Sequence, residues 1–192
     1  MTDMEALLQH VQRFVDLNNE EQEAIASCFR YVEVPKKGYL LKQGKICTGR
    51  YFVMKGLLRQ YTLGENEAEQ ITAFALENWW MVDYDSMDRR QPSQFFIQAV
   101  EPTEVLVLDK EMEEELFTRV PKMERYFRLI LQRSHAASMM RIKYIFTTSG
   151  EERYLHFSGL FPGFIQRIPQ YMLANYLGFS AEFLSKIRAK KL

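Results

Sequence analysis

Between Phe29 and Leu108 the chain breaks into short apolar runs separated by glycine, proline and asparagine, and this punctuation restricts the region to a β-rich fold. Phe29–Val34 is strand-like and ends at the turn Pro35-Lys36-Lys37-Gly38. Tyr39–Lys42 closes at Gln43-Gly44-Lys45, Tyr51–Met54 at Lys55-Gly56, and Leu57–Leu63 at Gly64-Glu65-Asn66-Glu67. Glu69–Leu76, Phe95–Val100 and Val105–Leu108 complete the series. Glycine and proline at this spacing allow no long helix, and many short strands indicate a sandwich or roll.

The flanks read differently. Met4, Leu7, Leu8, Val11, Phe14 and Val15 recur at helical spacing, and Asn19 is placed to cap a second helix from Glu20 to about Ser27. From Glu111 onward the pattern is helical almost throughout. Pro121 suits the first turn of a long helix that meets no Gly or Pro before Thr147. Within it Met123, Phe127, Ile130, Ser134, Ala137, Arg141 and Tyr144 alternate steps of four and three, the seam of a two-helix coil. That seam predicts a homodimer; a long helix packed on its own β-domain has the same spacing. Thr147-Thr148-Ser149-Gly150 interrupts the helix, Glu151–Leu160 resumes it, and Phe161-Pro162-Gly163 ends it.

Charge divides the chain at the same place. Up to Val120 there are 13 Lys and Arg against 21 Asp and Glu; from Pro121 on there are 12 against 4. A basic half either binds a polyanion or docks on the acidic half. Hydrophobic residues make up 47% of the chain, enough to fill a core, yet no run reaches the roughly 18 apolar residues of a membrane span. The N-terminus lacks the basic-then-apolar pattern of a secretory signal, so a cytoplasmic protein is expected. Cys28 and Cys47 are read as core residues, since two thiols fall short of the four usual ligands of an iron–sulfur cluster.

The basic half contains one compact motif. Pro169 opens a helix with Met172, Leu173, Tyr176 and Leu177 on its apolar face and the small Ala174 where a second helix crosses. Gly178 supplies the positive φ of a tight turn, and Ser180 caps a further helix buried through Leu184 and Ile187. Ala181, Glu182, Ser185, Lys186, Arg188 and Lys190 remain on its outward face, beside the capping Ser180. This is the helix-turn-helix arrangement, in which the second helix enters the major groove of duplex DNA.

Together these segments resemble the superfamily of the cyclic-AMP receptor protein and the fumarate–nitrate regulator (Crp/Fnr). Pro35-Lys36-Lys37-Gly38, Gly44 and Tyr51–Gly56 resemble the glycine-punctuated start of its β-roll, and Ala99 to Leu108 the strand pair that closes it. Ser180-Ala181-Glu182-Phe183-Leu184-Ser185-Lys186-Ile187 is similar to the recognition pattern Ser-Arg-Glu-Thr-Val-x-Arg-Ile. The resemblance places Glu182 on the base-reading glutamate and Lys186 on the second arginine; Ala181 replaces the first. It implies an α+β chain with a double-stranded β-helix (jelly-roll) sensor domain of the cyclic-nucleotide-binding type at 1–120. A dimerisation helix at 121–147 and a winged-helix-like helix-turn-helix domain at 148–192 follow. Leu192 follows closely on the recognition helix, so the wing is expected to be reduced or absent. Double-stranded DNA, a second copy and RNA polymerase are the expected partners, with an unknown small-molecule effector.

The family's phosphate-binding cassette is degenerate here. It pairs Gly-Glu with a later Arg, which holds the cyclic phosphate while the glutamate holds the ribose. Val82 stands in the glycine position, Asp83 in that of the glutamate and Ser93 in that of the arginine. Tyr84 and Gln94 lie beside them, and Arg89 and Arg90 are nearby but displaced. A cyclic nucleotide is not expected to bind, because the charge-assisted contact to phosphate is lost.

Two other function classes fit the sequence less well. A cupin-type metal or enzyme site needs histidines on neighbouring strands, whereas His10, His135 and His156 fall in helical stretches. Neither Glu113-Glu114-Glu115, read as the solvated face of a short helix, nor Asp83/Asp85/Asp88 has a catalytic or calcium-loop pattern. No metal, cofactor or catalytic activity is expected. The second alternative keeps the β-roll as a ligand-binding or protein-interaction module without specific DNA binding. Trp79, Trp80, Tyr84, Phe95 and Phe96 either line a pocket in it or belong to its core.

Overall fold

A computed structural model describes residues 4–189, the Glu65 side chain excepted, and divides into two compact units that meet between Leu131 and Gln132. The first unit opens with α1 (Glu5–Gln12) and α2 (Asn19–Cys28). The cap of α2 is Asn18, one residue before the expected Asn19. Asn18 Oδ1 accepts from the Glu21 amide at 2.8 Å, and Glu21 returns a bond to the Asn18 amide at 2.9 Å.

Eight strands follow: β1 (Arg30–Val34), β2 (Tyr39–Leu41), β3 (Gly49–Lys55), β4 (Leu58–Leu63), β5 (Glu69–Ala75), β6 (Trp80–Met81), β7 (Phe96–Ala99) and β8 (Thr103–Asp109). Every pairing is antiparallel, and they form two sheets, ordered β1-β8-β3-β6 and β2-β7-β4-β5. The turn spacing led to a sandwich or roll, and the two sheets form the jelly-roll that the resemblance implies. A short helix, α3 (Tyr84–Arg89), joins β6 to β7 and was not foreseen as an element. The turn between β3 and β4 requires Gly56: its φ is +98°, and a Cβ there would come 2.7 Å from the Pro102 carbonyl oxygen.

Alternation along the strands divides the apolar residues between two cores. Val105 and Val107 of β8, with Tyr51 and Val53 of β3, face the other sheet and pack with Leu58, Ala75, Ile97 and Ala99. Leu106 and Leu108, with Phe52, face outward and pack under α1, α2, α4 (Lys110–Arg119) and the start of α5 (Lys122–Thr147). β8 is thus buried on both faces, which accounts for its unbroken apolar run.

The second unit holds the remainder of α5, α6 (Gly150–Leu160), α7 (Pro162–Arg167), α8 (Gln170–Leu177) and α9 (Ala181–Ala189). Ser149 and Glu152 form a capping box at the start of α6. α6 ends at Leu160 with Phe161 as its cap, as expected, and Pro162 also occupies the first turn of α7. Tyr154, Phe164, Ile168, Met172, Leu173, Leu177, Leu184 and Ile187 are buried in this unit.

Candidate nucleic-acid interface and sensor site

α8 ends at Gly178, which adopts φ +81° and donates its N–H to the Asn175 carbonyl at 3.1 Å. Phe179 closes the same turn by donating to the Ala174 carbonyl at 3.1 Å, and fully buried Ala174 provides the close crossing. Ser180 Oγ then accepts the Phe183 amide at 3.2 Å and starts α9. Met172, Leu173 and Leu177 of α8 and Leu184 and Ile187 of α9 are buried, as the spacing required. Glu182, Ser185, Lys186 and Arg188 are exposed together on α9, as is Ser180, while Ala181 is half-buried at its edge. Lys190 lies outside the described residues. The Glu182 carboxyl is held below its ordinary range by backbone N–H at the helix start, the Ser180 hydroxyl and Lys186. It therefore presents an acceptor-only face at neutral pH.

In the β-roll the altered cassette closes on itself. Asp83, buried ahead of α3, accepts from the Ser86 amide at 3.3 Å and from the Ser93 hydroxyl at 2.6 Å. Ser93 is itself buried, and its Oγ accepts the Phe95 amide at 2.9 Å. Ser86 Oγ accepts the Cys47 amide at 2.9 Å and donates to the Gln91 carbonyl at 2.6 Å. Val82 packs half-buried against the core between the sheets, Tyr84 lies on the same core, and Gln94 is exposed. Arg89 and Arg90 point away from this network. Arg89 pairs with Asp85 at 3.1 Å and Arg90 with Glu111 at 3.5 Å, and both are largely exposed.

Beneath α3 lies a buried ionic network that the sequence reading missed. Arg50 of β3 pairs with Glu113 of α4, donates to the Tyr84 hydroxyl at 2.8 Å, and lies against the Tyr84 and Phe127 rings. Lys110 donates to the other Glu113 oxygen at 2.9 Å and approaches Asp88 at 3.4 Å. Burial raises the Glu113 pKa, and the hydrogen bonds from Arg50 and Lys110 more than reverse this, leaving it lowered. Glu113 is thus not part of the solvated face expected of the triplet; only Glu114 and Glu115 are exposed. The signal available was Lys110, one helical turn before Glu113.

The cyclic nucleotide-binding domain model matches residues 31–119. The chain is 26% identical over 184 residues to the anaerobic regulatory protein of Aggregatibacter actinomycetemcomitans, covering 89% of this chain and 70% of that one. It is 27% identical over 184 residues to the fumarate and nitrate reduction regulatory protein of Vibrio cholerae, covering 89% and 72%. In fold it is similar to FixK2 from Bradyrhizobium japonicum, with a TM-score of 0.71 at 15% identity over 84% of this chain and 83% of that one. Residues 31–119 thus match the cyclic nucleotide-binding domain, and most of the chain is similar to regulatory proteins of the fumarate–nitrate type.

In this chain the long helix departs from the expected seam. Met123 and Phe127 are buried in the core of their own β-roll, and Ile130 packs at its edge. Arg141 and Tyr144 turn toward the other helices of their own unit, where Arg141 meets Tyr176 and Tyr144 lies 4.5 Å from the His156 ring. Ser134 and Ala137 are exposed but offer little apolar surface. The free apolar face is displaced by one residue, to Leu131, His135, Ser138, Ile142 and Ile145, with Met139 and Phe146 beside it. Both seams step by four and three, so spacing does not distinguish a face covered by its own domain from one left open.

The aromatic residues proposed for one pocket are dispersed. Trp79 is exposed, and Phe95 is half-buried. Trp80 packs on Phe52 and Phe127 and donates from Nε1 to the Tyr126 hydroxyl at 2.7 Å. Phe96 stacks on Tyr61 at 4.8 Å, on the side of β7 opposite Ile97. His10 Nδ1 lies 2.8 Å from the same Tyr126 hydroxyl, and both cysteines are buried with free thiols. Among the described residues no three His, Cys, Asp or Glu side chains gather as a metal site requires. None of the described helices is long and apolar enough to cross a membrane.

Proposed function

We propose that this protein is a cytoplasmic, dimeric, DNA-binding transcriptional regulator whose β-roll does not take a cyclic nucleotide. The observation that carries the reading is α9, held across α8 with Glu182, Ser185, Lys186 and Arg188 exposed in the basic part of the chain. Ser180 and Ala181 start that helix, and the basic Lys190 follows it in the sequence. The N-terminal end of such a helix meets base edges, and its basic side chains meet phosphate. Names of the relatives as regulatory proteins support the same reading. RNA polymerase is the partner that a bound regulator would address.

Dimerisation is assigned to the exposed α5 face through Leu131, Ile142 and Ile145. A two-fold axis there sets the recognition helices about one DNA turn apart, roughly 34 Å. In the sensor domain, the positions that by resemblance flank the sugar and the phosphate hydrogen-bond directly to one another. Asp83 and Ser93 are thereby engaged with each other. Any effector is therefore of another chemical class or acts elsewhere on the roll. No catalytic residue is proposed.

Fluorescence polarisation with duplexes enriched from pooled genomic fragments tests the function. Binding weakens steeply with salt in the wild type, and the salt slope falls by about one for each of Lys186→Ala and Arg188→Ala. Absence of binding at low salt refutes the reading.

A further inference from the structure

Arg141 ties the long helix to the helix-turn-helix through Tyr176. The Arg141 guanidinium lies 4.0 Å over the Tyr176 ring, and Nη2 donates to the Tyr176 carbonyl at 2.9 Å. Tyr176 is the penultimate residue of α8, two before Gly178. Its carbonyl is among the last four of the helix, which no helical N–H can satisfy, at the end where a cation is favoured. On α6, the Phe157 ring meets Tyr176 edge-on at 5.7 Å. One planar cation on α5 thus holds both the end of α8 and its aromatic side chain. A lysine offers a point charge without the flat surface that covers the ring.

We propose that Arg141 is a positioning residue: it fixes the angle of the helix-turn-helix on α5, and so the setting of α9 against DNA. This rests on the DNA-binding reading for its consequence, though not for its geometry. The seam residue of the sequence pattern thereby acquires a role inside its own chain, facing away from the dimer partner.

The test uses the full chain with spin labels at Lys143→Cys and Ser185→Cys. Both positions are exposed, and Cys28 and Cys47 are buried. Diluting labelled chain into an excess of unlabelled chain leaves one labelled pair per dimer, and electron–electron double resonance reads the distance. Wild type gives one narrow distribution. Arg141→Gln broadens it while far-ultraviolet circular dichroism stays unchanged. In unlabelled chain that keeps Ser185, affinity of Arg141→Gln for a selected genomic duplex falls by about tenfold against wild type, as expected for a lost charge-assisted contact, with the salt slope unaltered. A purely structural role loses helicity without this pattern, and an unchanged narrow distribution in Arg141→Gln overturns the proposal. Should that variant unfold, Tyr176→Leu decides, since it keeps the carbonyl and apolar bulk but removes the ring. A distribution as narrow as wild type then refutes the positioning role. If no duplex binds even the wild type, the DNA-binding reading fails while the distances still judge the strut.

Discussion

The Ser93 hydroxyl donates a 2.6 Å hydrogen bond to the Asp83 carboxylate, and both side chains are buried. A cyclic phosphate entering here would meet a carboxylate where it needs a cation. Bringing like charges together in a poorly hydrated site costs several kcal/mol. Isothermal calorimetry with millimolar cyclic AMP or cyclic GMP is therefore expected to show no one-site isotherm. Ser93→Ala leaves one Asp83 oxygen without that donor and lowers stability by about 1–3 kcal/mol in urea melts, without creating nucleotide binding.

Glu113 makes the β-roll sensitive to acid. Its folded pKa is depressed, so its contribution is complete above the ordinary carboxylate range and is lost as pH falls through the lowered folded value. Urea midpoints measured at neutral pH and in stepwise acid should fall in that window for the wild type. Glu113→Gln should flatten this dependence, and at neutral pH it leaves the buried Arg50 without its counter-charge. Breaking a buried pair in this way costs roughly 3–5 kcal/mol.

The displaced face of α5 separates two kinds of variant. Ile142→Glu and Ile145→Glu put charge on the exposed surface, and sedimentation should show monomers with an unchanged urea midpoint. Phe127→Ala instead opens the β-roll core and should cost about 3–5 kcal/mol of stability while still sedimenting as a dimer. Dissociation by Phe127→Ala with normal stability would restore the seam first expected from the sequence.

Base reading by Glu182 and phosphate binding by Lys186 are separable. Glu182→Ala should relax the base preference recovered by selection from random duplexes by about 1–3 kcal/mol at one position, with a smaller change in overall affinity. Lys186→Ala should weaken all sequences about equally. A preference unchanged in Glu182→Ala would remove that side chain from the interface.

The β-roll was legible because glycine and proline mark its turns, and α8 to α9 because Ala174, Gly178 and Ser180 each have one structural task. β6 was missed because two residues, Trp80 and Met81, make no periodic signal, and α3 because its run of polar residues has no apolar stripe. The α5 seam misled for a different reason: periodicity reports that a face is buried, and the covering surface comes from elsewhere in the chain. Arg50 and Glu113 are 63 residues apart, so their pairing exists only once β3 and α4 are side by side.

The closure of the cassette has a further consequence for control. A bond between two residues of one chain forms at an effective concentration set by the intervening loop, and dilution does not alter it. An external metabolite competes at whatever level the cell maintains, while the Asp83 carboxylate is always at hand. A cyclic nucleotide would have to displace a contact that is present in every folded copy, whatever the concentration of the protein.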